Sequence, residues 1–159
     1  MEYSMPADVA VGQPAPDFTL EDENGNKVQL SSLRGEPVVI MFYPFDWSGT
    51  CTEEMCDMRD RQPAWETTGA RVFGVSRDSK YSHKAWKEHL GLSYSLLADL
   101  TGDVARKYGA WNEPAHRADR MTVVVDPQGI VRYVVHNGAG QKRDQDQVLQ
   151  AVRDMVAAK

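Results

Sequence analysis

The chain has 159 residues, 42% of them hydrophobic and 26% charged, with a formal net charge of −5. That length suits one domain, and the composition is that of a soluble globular chain able to build a core without disulfide staples. There is no lysine and arginine run of the kind that grips nucleic acid, and no stretch nears the about 18 consecutive apolar residues of a membrane span. Neither nucleic acid nor membrane is therefore an expected partner.

Residues 1–10 read as a loose lead-in to a single domain covering 1–159. They lack the charged-then-apolar order of a signal peptide, so a cytoplasmic location is expected, where a permanent structural disulfide is not. Asp17–Leu20 and Lys27–Leu30 read as two strands joined through the turn signal Asn24-Gly25. Ser31–Arg34 reads as one helical turn, ended by Gly35. The apolar run Pro37–Tyr43 is expected to be a central strand buried on both faces, stopped by Pro44.

After the loop Phe45–Gly49, Thr50 and Glu53 have capping-box spacing, which places Cys51 at the first helical position. Pro63 ends or kinks that helix. Arg71–Ser76 reads as a strand, Ser79–Leu90 as an amphipathic helix closed by Gly91, and Tyr94–Ala98 as a short strand. Thr101–Tyr108 reads as a helix. Met121–Asp126 and Ile130–His136 read as strands around Asp126-Pro-Gln-Gly129. Asp144–Ala158 is expected as a last helix with Val148, Leu149, Val152, Met155 and Val156 on its buried side. This order predicts an α/β, thioredoxin-like fold: a central mixed sheet flanked by helices, with an N-terminal β-hairpin.

The chemistry concentrates in Pro44-Phe-Asp-Trp-Ser48-Gly-Thr-Cys51. A cysteine in the first turn of a helix meets unpaired N–H groups and the positive end of the helix dipole, and both favour the nucleophilic thiolate. A helix that follows a buried strand also puts that cysteine at the carboxyl edge of the sheet, where open α/β folds place their sites. Splitting an O–O bond further needs donors aimed at its two oxygens. Ser48 offers a hydroxyl three residues before Cys51, and an arginine could supply a cation. Read from the residues alone, a cysteine so placed is more often an ordinary part-buried thiol, and Ser48 a cap or turn residue.

Pro44-x-x-x-Ser48-x-x-Cys51 resembles the Pro-x-x-x-Thr/Ser-x-x-Cys pattern of peroxiredoxins. The segment Arg120 to Gly129 resembles the family stretch that carries the active-site arginine, and Gly12-x-x-Ala15-Pro16-Asp17-Phe18 resembles the family's opening. The resemblance covers about residues 11–155. It implies a thiol-dependent peroxidase in which Cys51 is oxidised by hydroperoxide to a sulfenic acid. Pro44 would shield that sulfur, Ser48 would occupy the hydroxyl position that is usually threonine, and Arg120 would hold the thiolate and a peroxide oxygen. No cofactor is implied. The implied partners are a hydroperoxide substrate, a thiol reductant (thioredoxin, a glutaredoxin-like protein or a low-molecular-weight thiol) and a second copy in a homodimer.

Within the family, Tyr108-Gly-x-x-Asn112-Glu113 and Arg143-Asp144-Gln145 are similar to the one-cysteine alkyl hydroperoxide reductase E type. The pair Cys51-x-x-x-x-Cys56 instead resembles the Q type, also called bacterioferritin comigratory protein, in which the second cysteine resolves the first as an intramolecular disulfide. Five residues of helix are about 500° of turn and about 7.5 Å of rise. A disulfide needs Cα atoms about 4.4–6.8 Å apart, so the helix must unwind before Cys51 and Cys56 can join. The other reading makes Cys56 a small core residue in an enzyme that runs on one cysteine.

His83, His89, His116 and His136 have no metal-ligand spacing with the cysteines, so no metal site is expected, and His83 and His89 read as a solvated helix face. Phe45 and Trp47 either pack the loop or meet an organic peroxide. Glu53 and Glu54 suit a helix start, and the resemblance makes Glu54 a carboxylate able to hold donors in place. A redox sensor using Cys51 as a switch would share these features, and catalytic turnover separates the two. A thioredoxin-like disulfide reductase would need the C-x-x-C that the chain lacks.

Overall fold

A computed structural model describes residues 9–137 and 143–157. Most of the expected lead-in, and the expected end of the last helix at Ala158, lie outside the described residues. Two short strands, β1 (Thr19–Glu21) and β2 (Lys27–Gln29), form the expected hairpin, and a 3-10 turn follows at Leu30–Leu33. Then come β3 (Val38–Phe42), α1 (Gly49–Asp60), α2 (Gln62–Glu66), β4 (Arg71–Ser76), α3 (Lys80–Leu90), β5 (Ser95–Ala98) and α4 (Asp103–Tyr108). The chain closes with β6 (Trp111–Asn112), β7 (Arg117–Ala118), β8 (Arg120–Val125), β9 (Val131–Asn137) and α5 (Gln145–Ala157).

Seven strands make one mixed sheet in the order β2-β1-β5-β4-β3-β8-β9. β3, β4 and β5 run parallel at its centre, while β8 lies antiparallel to β3, and β1 antiparallel to β5. All five residues of β3 are buried, as its unbroken apolar run requires. Successive side chains leave a strand on opposite faces. Val38, Ile40 and Phe42 join one core with Val104 and Tyr108 of α4. Val39, Met41 and Tyr43 join the other with Met55 and Met58 of α1, Trp65 of α2, Trp86 of α3 and Val148 and Val152 of α5. Each such side chain contributes about 1.5–3 kcal/mol of burial. Cys51 belongs to this second core.

Gly74 of β4 leaves the space that the Leu96 and Tyr43 side chains fill, with Met55 of α1 just beyond them. A Cβ there would stand 2.8 Å from Leu96 Cδ2 and 3.2 Å from Tyr43 Cε1, with Met55 Cε next at 3.7 Å. Pro63 falls in the first turn of α2, where its missing N–H costs nothing, and α1 stops before it at Asp60. The two-residue pair β6–β7 was not expected, because strands that short leave no periodic trace in a sequence. α4 begins two residues later than the apolar pattern suggested, after Gly102 at φ 77°.

Candidate active site

β3 delivers the chain to the site. Tyr43 stays tied to the sheet through its N–H to the Val75 carbonyl at 3.0 Å, and the buried Pro44 then turns the chain away. Trp47 takes a left-handed backbone (φ 72°), its ring half exposed and lying 5.4 Å from His89 and 6.4 Å from Trp86 between centroids. Phe45, also partly exposed, lies under the guanidinium of Arg77 at 5.9 Å.

α1 does not begin with the capping box expected at Thr50. Ser48 is the N-cap: its backbone is extended (φ −71°, ψ 152°), its hydroxyl oxygen accepts the Cys51 N–H at 3.3 Å, and its carbonyl accepts the Thr52 N–H at 2.9 Å. Thr50 is already helical, so Cys51 is the third helical residue rather than the first. It remains in the first turn, within reach of the helix dipole. The Cys51 side chain is completely buried, among Tyr43, Met55 and Trp86 of the second core.

Three residues after Cys51, and so on the same helix face, stands Glu54, only 1% exposed. Its Oε1 accepts from Arg120 Nη1 at 2.8 Å, at the start of β8. Its Oε2 accepts the Arg143 backbone N–H at 2.6 Å and Arg143 Nε at 3.1 Å. Arg143 Nη1 also donates to the Met121 carbonyl at 3.1 Å and Thr122 Oγ1 at 2.9 Å, and Nη2 donates to the Phe42 carbonyl. One buried guanidinium thus stitches β3, β8 and the approach to α5 to the cysteine helix. Arg120 is 2% exposed and Arg143 5%, so both ions depend on their partners to offset lost hydration. Arg143 was not among the site residues read from the sequence. Its late Arg-Asp-Gln context was a subfamily hint, and nothing local ties residue 143 to residue 54.

A second buried polar group braces the opposite side of the loop, and it corrects the reading of His83 as solvated. His83 is fully buried on α3. Its Nδ1 lies 2.8 Å from Asp46 Oδ2 and its Nε2 3.0 Å from the Leu97 carbonyl. Asp46 also accepts from Tyr43 Oη at 2.6 Å and Ser82 Oγ at 2.8 Å, while its own N–H donates to Asp78 Oδ2 at 2.8 Å. Burial first, then the Asp46 charge, holds the Tyr43 hydroxyl well above its ordinary range, so it is a donor here. The signal was present in the sequence: His83, Trp86 and Leu90 recur at spacings of three and four, which is a buried helical stripe. His89, by contrast, is exposed as expected.

Cys56 is a half-buried free thiol beside the second core, and Cys51 is also free. α1 is continuous from Gly49 to Asp60, so both thiols sit on one intact helix. Near Cys56, Arg59 donates to the Leu90 carbonyl at 2.7 Å, and Tyr94 Oη donates to Met55 Sδ at 2.7 Å. Arg59 is held above its usual range by its hydrogen bond to Asp60, then by the Asp60 charge and by Cys56. Among the described residues, no three or more His, Cys, Asp and Glu side chains are grouped to hold a metal, and no helix is long and apolar enough to cross a membrane.

Comparison with known proteins points to one family. Residues 11–134 match the AhpC/TSA family. Peroxiredoxin Q, chloroplastic, of Suaeda salsa is 37% identical over 153 residues, 96% of this chain and 72% of that protein. Alkyl hydroperoxide reductase E of Mycobacterium tuberculosis is 38% identical over 138 residues, 85% of this chain and 90% of that protein. The mixed Q-type and E-type character of the sequence thus has a counterpart in relatives of both names. Among solved structures, Enterococcus faecalis AhpC superposes with a TM-score of 0.86 at 28% identity, covering 92% of each chain. Peroxidoxin BcpB of Mycobacterium tuberculosis gives 0.83 at 29%, covering 92% of this chain and 98% of that one. With its thioredoxin-type sheet and its matched family segment, the chain belongs to the AhpC/TSA family and is a peroxiredoxin, a thiol-dependent peroxidase.

Proposed function

We propose that Cys51 is the sulfur that attacks the peroxide, and that Pro44, Ser48, Arg120 and Cys56 serve its cycle. The observation that carries this reading is a buried cysteine in the first turn of α1, capped by Ser48, with Glu54 one turn on clamping two guanidinium groups. The Cys51 thiolate attacks one oxygen of the hydroperoxide. The S–O bond forms as the O–O bond breaks, the leaving oxygen departs as an alcohol or water after taking a proton, and the sulfur is oxidised by two electrons to a sulfenic acid. Arg120 steadies the anion, Ser48 donates toward the reacting oxygens, and Pro44 keeps bulk water off the sulfur.

The Cys56 thiolate then attacks the sulfenic sulfur, forming S–S and releasing water. A thiol reductant, either thioredoxin, a glutaredoxin-like protein or two equivalents of a low-molecular-weight thiol, returns both thiols and is itself oxidised to a disulfide. Because α1 is intact between the two cysteines, its first turns must open for this step. The contact of Cys56 with the second core favours a second reading, a one-cysteine peroxidase in which Cys56 is structural. Mass spectrometry after one equivalent of peroxide separates the two: loss of two hydrogen atoms supports the disulfide. A sulfenic adduct on Cys51 that is the same in wild type and Cys56→Ser assigns Cys56 to structure.

The reading carries three further proposals: one domain over 1–159, a homodimer, and a reducing compartment such as the cytoplasm, although the plant relatives carry the word chloroplastic. Stopped-flow tryptophan fluorescence with hydrogen peroxide and alkyl hydroperoxides tests the peroxidatic role, since Trp47 and Trp86 flank the cysteine loop. A fluorescence step whose rate scales with peroxide supports it. No step and no peroxide loss overturns it.

A further inference from the structure

The Glu54 cluster stands one helical turn along α1 from Cys51, whereas the Asp46–His83 group ties α3 to the loop before it. That second group is buried, costly in lost hydration, and attached to the loop that ends at Cys51. Its hydrogen bonds fix its proton count. A carbonyl oxygen only accepts, so His83 Nε2, 3.0 Å from the Leu97 carbonyl, must carry a hydrogen. His83 Nδ1 then faces Asp46 Oδ2 at 2.8 Å, and a bond there requires one more proton between the two atoms.

Tyr43 Oη also lies 3.5 Å from His83 Nδ1, but its hydrogen is engaged by Asp46 Oδ1 at 2.6 Å, so it does not fill that place. Tyr43 Oη and Ser82 Oγ also donate to Asp46, so the carboxylate is otherwise surrounded by donors. Asp78, which accepts from the Asp46 N–H and from Ser76 Oγ, faces the pair as a like charge. Its carboxyl is pushed up by burial, pulled down by the Ser76 bond and pushed up again by Asp46. Tyr43, Asp46, Asp78, Ser76, Ser82 and His83 are the polar and titratable groups joined in this cluster.

We infer that Asp46 and His83 form a one-proton clasp that holds the cysteine loop closed, and that loss of this proton as the pH rises releases the loop and lets α1 open. With the proton present, α3 and the Leu97 carbonyl of β5 grip the loop through His83. With it absent, an imidazole lone pair faces either the carboxylate or the carbonyl, and one bond becomes a repulsion. The loop bound by Asp46 includes the Ser48 cap, so release frees the first turn of α1. That first turn is the part of the helix that must unwind for Cys56 to reach Cys51. The inference therefore rests on the proposed two-cysteine cycle, in which Asp46 and His83 are positioning residues.

Amide hydrogen exchange of the reduced full-length enzyme tests it without peroxide. Protection of residues 44–60 is followed across about pH 6 to 9 and corrected for intrinsic exchange. In the wild type protection is expected to fall about tenfold or more as the pH rises. His83→Gln removes the proton carrier, so protection should be low and flat with pH. Asp46→Asn replaces the carboxylate oxygen by an amide N–H that donates to neutral His83, so protection should be high and flat. A merely structural role predicts that both variants lose protection and keep the wild-type slope. Should His83→Gln fail to fold, wild type against Asp46→Asn decides alone. The inference is overturned by a flat wild-type profile, or by an Asp46→Asn profile that matches the wild type. Peroxide consumption by a Cys51→Ser variant would sink the proposed cycle, a failure that leaves the exchange result as it stands and is thus distinguishable from it.

Discussion

The two buried polar groups that flank the cysteine loop are built from different materials. On the β8 side, Glu54 binds Arg120 and Arg143, ions that keep their charge throughout the working pH range. On the α3 side, Asp46 and His83 hold a single removable proton. The first group is fixed charge one helical turn from the sulfur proposed to react; in the proposed clasp the second supplies placement alone. Charge and placement therefore fall to separate residues, with no member common to the two sets.

Breaking the first set should have the largest effect. Glu54→Gln leaves two buried guanidinium groups without their carboxylate, and about 3–5 kcal/mol of stability should go in urea denaturation, along with most of the rate of Cys51 oxidation. An unchanged midpoint and rate would mean that the clamp is ornamental. Gly74→Val disturbs the packing of Tyr43, which donates to Asp46, because a Cβ would meet Leu96 and Tyr43. The expected loss is about 1–3 kcal/mol, with slower oxidation of Cys51, and full retention of both would show that the core yields freely.

A smaller change sharpens the contrast at the helix start. Ser48→Ala removes the oxygen that accepts the Cys51 N–H, at a cost of about 1 kcal/mol in thermal or urea unfolding. It should also speed disulfide formation relative to sulfenic acid formation. The smallest effect concerns pH. Burial raises the Asp78 carboxyl above its ordinary value, so the folded state binds that proton more tightly than the unfolded state does. The stability it contributes is present when it is protonated and declines as the pH rises through the titration. Asp78→Asn keeps the acceptor for the Asp46 N–H and should flatten stability against pH between mildly acid and neutral conditions. A parallel profile would contradict this.

What could be read from the sequence follows from what is local. The apolar run of β3, the proline after it and the cysteine at the next helix start are neighbours in the chain; the first two stand where expected, and Cys51 falls in the expected first turn, two positions further in. The cap was misplaced because Ser48 and Thr50 are both competent residues two apart, and only the extended backbone at Ser48 decides between them. The polar groups were less legible. Glu54 and Arg143 are 89 residues apart, and Asp46 and His83 37, so each pair forms only once the sheet has brought distant segments together. His83 was misread although its spacing with Trp86 and Leu90 was visible, because a titratable side chain on an amphipathic helix is more often in water.

The most direct test of the account is the fate of one equivalent of hydroperoxide in three proteins followed in parallel by intact mass. Wild type should consume it and lose two hydrogens, Cys56→Ser should gain one oxygen on Cys51, and Cys51→Ser should leave the peroxide untouched. Peroxide consumption by Cys51→Ser at the wild-type rate would contradict the account at its base.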